Sequence, residues 1–263
     1  MQLFDAHCHL QDVRLLNVQS SLNDNYGKLF VESVIVNGTS EGDWDQVKQI
    51  SEKLGQVIPA YGLHPWNIGG RSTDWKQRLL ELWQDPHSQV GEIGLDRWVA
   101  DYDTDDQLEV FLWQFREGLK RAKPITIHCL KAWGLLYDTL RSERPFQGRF
   151  LLHSYGGPKE MVEPFAKMGA YFSISGYFAL DRKRVQQEVF RQVPIERLLV
   201  ETDAPDMMGP NSVIESPLIH KGVTINHPAN IRPIYEFAAR LRGMEVTSFT
   251  EVVAENFRRF VVG

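Results

Sequence analysis

The chain has 263 residues, of which 24% are charged and 43% hydrophobic, and its net charge is −5. These values are typical of a globular domain and exclude a disordered, collagen-like or coiled-coil protein. The acidic balance also excludes a basic surface for tight non-specific binding of nucleic acid. No apolar run approaches the roughly 20 residues needed to cross a bilayer, and the N-terminal segment does not resemble a signal peptide. The two cysteines exclude a disulfide framework and fit a reducing compartment. We therefore expect a cytoplasmic protein without membrane contact, and we take it to be a monomer.

Eight short apolar segments recur along the chain at fairly even spacing, each rich in Val, Ile, Leu or Phe. Each segment is short enough to form a buried strand of a parallel sheet. The segments are LFDAHCHL (3–10), ESVIVNG (32–38), VIPAYGL (57–63), QVGEIGL (89–95), PITIHCL (124–130), RFLLHSY (149–155), AYFSIS (170–175) and RLLVETD (197–203).

Helical patterns lie between most of these segments. In the clearest one, 104–121, apolar residues such as Phe111 and Phe115 recur on one face, and Thr104 and Gln107 have the spacing of a capping box. The other helical segments are 44–55, 73–83, 159–169, 182–193, 225–243 and 247–261. The longest irregular stretch, 204–227, follows the last strand.

The alternation of strands and helices predicts a single-domain (β/α)8, or TIM, barrel over residues 1–263, because about 250 residues is typical of that fold. A doubly wound open sheet is the alternative. It is less favoured because neither a G-x-G-x-x-G motif nor a P-loop follows any of the predicted strands.

Five histidines and two carboxylates lie in or just after the predicted strands. In a barrel, catalytic groups come from the C-terminal ends of the strands, so these side chains are expected to converge at one mouth. His7 and His9 are two residues apart, which puts both imidazoles on the same face of a strand. Glu92 lies in an apolar segment, although a glutamate is almost never fully buried unless it is paired. His128 or His153 alone would be more typical of a hydrogen-bonded core histidine.

Imidazole and carboxylate groups together form a ligand set for Zn, Mn, Fe or Mg-like ions. The predicted set contains six residues: His7, His9, Glu92, His128, His153 and Asp203. A catalytic zinc usually takes fewer protein ligands than this, so two metal ions that share a carboxylate fit better. We therefore predict two divalent metal ions, such as Zn, Mg or Mn, as cofactors.

Two further acids are predicted to lie beneath the ligands. Asp5 precedes His7 by two residues and Glu201 precedes Asp203 by two, so both are expected to point into the barrel one layer lower. A buried acid needs a hydrogen-bond donor. The free N–H of a ligand imidazole usually goes to a carboxylate, which predicts that Asp5 and Glu201 orient ligands. The alternative is a carboxylate bonded to backbone amides or to a buried cation.

The motifs that carry these residues resemble those of the TatD-like metal-dependent hydrolases, often called TatD DNases. The similar segments are FDAHCHL (4–10), YGLHPW (61–66), GEIGLD (91–96), IHC (127–129), LHSYGG (152–157), ETDAP (201–205), NHPANI (226–231) and ENFRRF (255–260). They span nearly the whole chain in the family's order, and their combination is specific although each motif alone is weak.

The resemblance implies a distorted (β/α)8 barrel with a two-metal site. It implies that one metal is held by His7, His9, Glu92 and Asp203. It further implies that His128 and His153 hold the second metal and that Glu92 bridges the two. His64 matches a family position near the substrate phosphate.

The chain departs from the family pattern at several positions around the expected substrate. Trp66 stands where many members have a second histidine after the His-Pro pair. Leu130 stands directly after the cysteine of the fifth strand, where many members have an arginine, and Lys131 follows it. Arg97 and Trp98 follow the GLD motif, where many relatives carry aromatic pairs. None of these residues is a predicted ligand, so the departures concern substrate specificity.

The leading functional prediction is an exonuclease that cleaves phosphodiester bonds in DNA, at single-stranded regions or 3′ ends. Two metals would attract a phosphate and lower the pKa of a bound water to about 7. The predicted catalytic residues are Glu92, shared by the metals, and Asp203, which accepts the proton of that water. His64, Lys131 and Arg97 are predicted to contact the substrate phosphate.

The predicted substrate residues also have structural alternatives. The loop cations can be solvated charges, and His64 can be a capping histidine that stiffens the turn before Pro65. If His64 does contact a phosphate, an ordinary pKa of about 6.5 would let it do so protonated near neutral pH. Trp66 or Trp98 can stack on a base, or belong to the core or a lid.

Two other functions stay open at this point. One is hydrolysis of a small-molecule ester, lactone or amide, because fold and metals alone do not determine the substrate. The other is a non-catalytic, metal-loaded scaffold that binds a partner.

Overall fold

Eight parallel strands form one sheet in chain order in the computed structural model, which describes residues 2–15, 31–98 and 103–263. Their bounds are β1 Leu3–Cys8, β2 Val31–Asn37, β3 Val57–Tyr61, β4 Gln89–Asp96, β5 Ile125–Leu130, β6 Phe150–Leu152, β7 Ala170–Ile174 and β8 Leu198–Val200. Every strand pairs in parallel with the next one in sequence. The predicted barrel is therefore confirmed, and each of the eight apolar segments overlaps one of its strands, with β2 and β4 extending one residue beyond theirs.

The gap between β8 and β1 is bridged just beyond the end of β8. The backbone N–H of Asp203 donates to the carbonyl of His7, and that of His9 donates to the carbonyl of Ala204, both at 2.9 Å. The Asp5 carboxylate accepts from the backbone N–H of Thr202 at 3.0 Å and from its hydroxyl at 2.6 Å. These bonds bring the first and last strands together and nearly close the barrel.

Eight α-helices lie in the described part of the chain. They are α1 Trp44–Lys53, α2 Trp75–Leu82, α3 Thr104–Lys120, α4 Trp133–Ser142, α5 Val162–Lys167, α6 Arg184–Gln192, α7 Ile231–Arg242 and α8 Val246–Val261. Seven lie within or largely within predicted segments, and α4 was not predicted. Its Leu136 and Leu140 are fully buried, but Gly134 lies in its first turn and its N-cap residue makes no side-chain capping bond. No helix of this part of the chain is long and apolar enough to span a membrane.

The start of α3 differs from the predicted capping box. The N-cap is Asp103, whose side chain accepts the backbone N–H groups of the first turn at 2.9 and 3.0 Å. The side chain of Gln107 lies on the buried face, where it exchanges two hydrogen bonds of 2.8 Å with the backbone of Asp96. The predicted pairing of Thr104 with Gln107 is therefore wrong, because Gln107 ties α3 to the C-terminal end of β4.

The stretch 204–227, predicted to be irregular, contains a short antiparallel hairpin. Its strands are β9 Leu218–His220 and β10 Val223–Ile225, joined at Lys221 and Gly222. The prediction missed it because these strands have only three residues each, and Ile219 and Val223 are exposed. Such strands lack the buried apolar run that marked the barrel strands.

The interior of the barrel is apolar at the end where the strands begin. One hydrophobic cluster joins side chains of six strands, including Ile35 of β2 and Leu151 of β6, with Phe257 and Phe260 of α8. Side chains from opposite strands can meet only inside the barrel. The ring of Phe257 lies 4.7 Å from that of Phe4, so α8 closes this end. The polar groups that could carry out chemistry lie at the other end of the barrel, where the strands finish.

Candidate metal and active site

Glu92 of β4 lies at the centre of the predicted ligands, at the C-terminal end of the barrel. Its Oε2 is 3.3 Å from Nε2 of His7 and 3.4 Å from Nε2 of His9. The same two nitrogens lie 3.5 and 3.4 Å from Oδ1 of Asp203. These four side chains form the first cluster.

The other oxygen of Glu92 faces a second cluster of three histidines. Its Oε1 is 2.9 Å from Nε2 of His153, 3.1 Å from Nδ1 of His128 and 3.3 Å from Nε2 of His64. The structure thus brings all six predicted ligands together, and Glu92 presents one oxygen to each side. His64, predicted as a substrate residue, lies within this second cluster.

Hydrogen bonds away from the site indicate which ring nitrogens present lone pairs to it. Nδ1 of His9 lies 2.8 Å from the carbonyl of Asn37, so in the neutral ring Nδ1 carries the proton and the lone pair of Nε2 faces the first cluster. Nε2 of His128 lies 2.9 Å from Oδ2 of Asp96 and donates to it, so in the neutral ring the lone pair of Nδ1 faces Glu92. The two Nε2 atoms of His7 and His9 are only 3.1 Å apart. Lone pairs and carboxylate oxygens directed at one point suit cations, so these residues fit divalent metal ions.

His64 differs from these ligands in its tautomer. Its Nδ1 accepts the backbone N–H of Trp66 at 3.1 Å, so a neutral His64 carries its proton on Nε2. Burial lowers the pKa of His64 to about 4, despite the charge of Glu92. The positive charge that an ordinary pKa would give His64 near neutral pH is therefore disfavoured in this site. His64 instead presents a neutral N–H donor to the site, while its Nδ1 caps the turn.

The electrostatics of the clusters depend on the buried charge of Glu92. Burial opposes its ionisation, but the electrostatic interactions with the imidazoles of His153, His64 and His7 outweigh this and hold the pKa of Glu92 well below its usual range. Burial likewise opposes protonation of His153, but Glu92 outweighs it and raises the pKa of His153 well above its usual range. A carboxylate buried in this way requires positive charge beside it.

The two acids predicted to orient ligand imidazoles behave differently. The Asp5 carboxylate accepts from the backbone N–H of His7 at 3.3 Å and from Thr202, so it places His7 through the backbone and not through the ring. This matches the alternative of a carboxylate bonded to backbone amides, because the bend at the end of β8 brings Thr202 against Asp5. Burial raises the pKa of Asp5 to about 8.

Glu201 lies on the ring side of a predicted ligand. Its Oε1 is 3.8 Å from Nδ1 of His153, and its oxygens accept hydrogen bonds from the hydroxyls of Ser154 and Ser173. Burial raises the pKa of Glu201, but the interaction with His153 outweighs it and the net pKa is lowered. The 3.8 Å separation is longer than a hydrogen bond, so the orienting role of Glu201 towards the ring of His153 stays a prediction.

A strained backbone directs Asp203 towards the first cluster. Its φ is +52°, in the left-handed region that non-glycine residues seldom adopt. The backbone bond from its N–H to His7 holds it there. Ser154 and Lys131, which follow β6 and β5, also have positive φ values, of 40° and 55°. Such strain is typically concentrated at functional sites.

A cavity of about 660 Å³ opens above the two clusters. The residues that line it include His9, His64, Glu92, His128, His153 and Asp203. Arg97 and Lys131, predicted to contact the substrate phosphate, are exposed and do not belong to this lining. Their backbones follow the ends of β4 and β5, but their side chains are not brought to the clusters. Arg14 does line the cavity, and its guanidinium is paired with Asp12 and Asp206.

Asp96 is a site residue that the sequence reasoning missed. Its Oδ2 accepts from the ring of His128 at 2.9 Å and from the indole N–H of Trp66 at 2.7 Å, and its Oδ1 accepts from the backbone N–H of Trp98 at 2.6 Å. The interaction with His128 lowers the pKa of Asp96 to about 2, although burial opposes this. The signal was available, because Asp96 lies four residues after Glu92 and therefore has the same strand parity.

We expect Asp96→Asn to weaken metal binding about 10- to 100-fold, the usual cost of losing a group that orients a metal ligand. The amide can turn its NH2 towards His128, which then no longer donates to a carboxylate. Metal titration of the apoprotein measures the effect. Trp66→Phe is the matched control, because it removes the indole bond to Asp96 and leaves His128 untouched. Equal metal affinity in Asp96→Asn and the wild type would contradict the assignment.

Taken together, these features define a (β/α)8 barrel that presents imidazole and carboxylate groups for metal ions at its C-terminal mouth. A family model described as TatD related DNase matches residues 4–261. The chain therefore belongs to the TatD family, as the motifs predicted.

Relatives of known name are similar along nearly their whole length. The chain is 26% identical over 262 residues to the uncharacterized metal-dependent hydrolase YcfH of Escherichia coli, covering 98% of this chain and 95% of that one. It is 24% identical over 268 residues to the deoxyribonuclease TATDN3 of Homo sapiens, covering 97% and 92%.

Solved structures share the fold. YJJV, a TatD homologue from Escherichia coli, superposes with a TM-score of 0.88 at 22% identity over 98% of this chain and 97% of that one. A TatD family hydrolase from Entamoeba histolytica also gives 0.88, at 18% identity over 100% and 98%. At these identities the likeness concerns the fold.

Proposed function

We propose that this protein is a metal-dependent hydrolase that cleaves phosphodiester bonds in DNA, acting as an exonuclease. The observation that carries the proposal is the division of the ligand set by Glu92, whose two oxygens face two clusters of nitrogen and oxygen donors at one barrel mouth. Family membership and the name of the human relative support DNA as the substrate.

Two divalent ions fit the donor set. His7, His9, Glu92 and Asp203 would hold one, and Glu92, His128 and His153 the other. The free lone pairs of His9 and His128 support this division, since their other nitrogens bind Asn37 and Asp96. When bound, such ions polarise a phosphoryl oxygen and activate a water nucleophile.

The remaining steps would be carried out by the protein's own side chains. Asp203 faces the first cluster with Oδ1 and is the proposed acceptor for the proton of the attacking water. His64 would donate its Nε2–H to a phosphate oxygen, and it does so as a neutral imidazole. Glu92 stays ionised and lies between the two clusters, with one oxygen facing each.

The charges around the cavity explain why this acidic protein would need metal ions to bind DNA, which is a polyanion. Among the described residues that line the cavity there are five carboxylates and one arginine, namely Asp12, Asp43, Glu92, Asp203 and Asp206 against Arg14. That arginine is already paired with two of the acids. Without cations the cavity would repel a phosphate, so the proposed ions supply the attraction as well as the chemistry.

The test is the degradation of end-labelled single-stranded DNA by metal-free protein after addition of Mg, Mn or Zn, with EDTA as the control. We expect stepwise shortening from one end that requires a divalent ion. If DNA stays intact while a chromogenic ester or lactone is turned over, the protein is a small-molecule hydrolase. If neither is hydrolysed with any ion, the enzymatic proposal fails.

We expect His64→Asn to reduce kcat/KM on DNA about 10- to 150-fold, the range for a lost hydrogen bond of about 1.5–3 kcal/mol to a charged group. Asparagine can retain the local turn, because its side chain bonds backbone two residues on, but its amide is too short to reach the second cluster. Metal content and melting temperature should therefore stay unchanged. Loss of metal in this variant would instead assign His64 as a ligand, and an unchanged kcat/KM would leave it as a turn cap only.

A further inference from the structure

Two exposed tryptophans stand on the rim of the cavity beside the second cluster. Trp66 is 55% exposed and Trp98 is 59% exposed, and both line the cavity. The chain has seven tryptophans, and the other five are buried or half-buried. Burying an indole is strongly favourable, so the exposure of two of them at one rim calls for an explanation other than packing.

Both tryptophans are bonded to Asp96, Trp66 through its indole and Trp98 through its backbone. The Nε1–H of Trp66 donates to its Oδ2 at 2.7 Å, and the backbone N–H of Trp98 donates to its Oδ1 at 2.6 Å. The ring of Trp66 also lies 5.1 Å from that of His64 and 6.1 Å from that of His128, both in edge contact. Because Asp96 also binds His128, the tryptophans keep a set position relative to the second cluster.

Charge cannot hold a nucleic acid at this rim. Within the described lining the carboxylates outnumber the single arginine, and Arg97 and Lys131 are exposed and do not belong to that lining. Apart from the proposed ions, binding must therefore come from contacts that do not depend on phosphate charge. Stacking of bases on aromatic side chains is such a contact, and it tolerates any base because every base has a π face.

We infer that Trp66 and Trp98 form a platform that stacks the unpaired bases next to the scissile phosphate. This inference rests on the proposed function. A base within a duplex has both faces covered by its neighbours, whereas a base that stacks on an indole must leave that arrangement. The platform would therefore bind bases that are already unpaired.

The experiment compares kcat/KM on two single-stranded oligonucleotides with the metal-loaded enzyme. One has ordinary ends, and the other has abasic sugars at the two terminal positions of each end. The stacking of one base contributes about 5- to 150-fold, so the wild type should prefer the ordinary oligonucleotide by this factor. Trp98→Ala removes an indole without removing the backbone bond to Asp96. It should lower kcat/KM only on the ordinary oligonucleotide and leave the abasic one unchanged.

Further variants separate stacking from structure. Trp66→Phe keeps an aromatic face but loses the bond to Asp96, so it should retain most of the preference, whereas Trp66→Ala should lose it. Val185→Ala removes another exposed apolar side chain, on α6, and should change nothing. Metal content, measured on each variant, should equal that of the wild type.

Three results would overturn the inference. If the wild type cleaves both oligonucleotides equally well, the proposed nuclease function is retained and the stacking platform is excluded. An equal fall on both oligonucleotides in Trp98→Ala would show a structural role. A wild type that cleaves neither with any divalent ion would remove the proposed function, and the platform with it.

Discussion

Asp203→Asn should reduce kcat on DNA by about 10²–10⁴-fold, the usual effect of losing a positioned base, while the fold is retained. The substitution is nearly isosteric, and it removes both a negative charge from the first cluster and the proposed proton acceptor. The backbone should not resist it, because asparagine adopts the left-handed region more readily than most residues and φ here is +52°. Initial rates at saturating metal, together with a melting curve and a metal assay, measure the outcome.

Asp206→Asn is the matched control for this experiment. Asp206 also lines the cavity, but its side chain is 58% exposed and pairs with Arg14 away from Glu92. The same substitution there should leave kcat close to the wild-type value. If Asp203→Asn also keeps a near-normal kcat at saturating metal, then Asp203 is neither the base nor an essential ligand.

The second large effect is expected for Glu92→Gln. Each oxygen of Glu92 faces a different cluster, and an amide can offer an oxygen to only one of them. Its NH2 group would meet imidazole nitrogens on the other side. We therefore expect the variant to bind fewer metal ions per chain than the wild type. Since Lewis-acid catalysis contributes several kcal/mol, and 1.36 kcal/mol corresponds to a factor of ten, turnover should fall by at least about 10²–10³-fold.

The same variant should lose the stabilisation that metal binding provides. At a metal concentration of 100 times Kd, binding stabilises the native state by about 2.7 kcal/mol, which for a chain of this size raises Tm by about 5–10 °C. Calorimetry with and without EDTA should show this difference in the wild type, and a smaller one in Glu92→Gln. Glu163→Gln, an exposed acid on α5 that pairs with Lys167, is the control. An unchanged metal effect on Tm in Glu92→Gln would contradict a shared carboxylate.

The architecture of the barrel could be predicted from local pattern alone. A strand buried on both faces requires a short, nearly continuous apolar run, and all eight barrel strands carry one. Elements without such a run were missed. The hairpin of β9 and β10 has exposed apolar side chains, and helix α4 has Gly134, a poor helix former, in its first turn.

Sequence by itself also determined which side chains meet in the site. Parallel strands end at one edge, so His7, Glu92, His128, His153 and Asp203 could be assigned to one mouth from their places in the strands alone. The parity of β4 would have added Asp96, had it been followed four residues beyond Glu92. Which side chains reach the mouth follows from the order of residues along the chain and from the two-residue period of a strand. Both are local properties.

Only the tertiary structure decided how each side chain is used. The protonated nitrogen of His9 is set by the carbonyl of Asn37 on β2, and that of His128 by Asp96 on β4. The backbone N–H of Trp66 bonds Nδ1 of His64, so the N–H donor of a neutral His64 is on Nε2. Likewise, the side chains of Arg97 and Lys131 follow strand ends and yet stay out of the cavity. Tautomer, pKa and side-chain direction depend on partners from other strands at distances of about 3 Å, and the order of residues along one chain does not contain those distances.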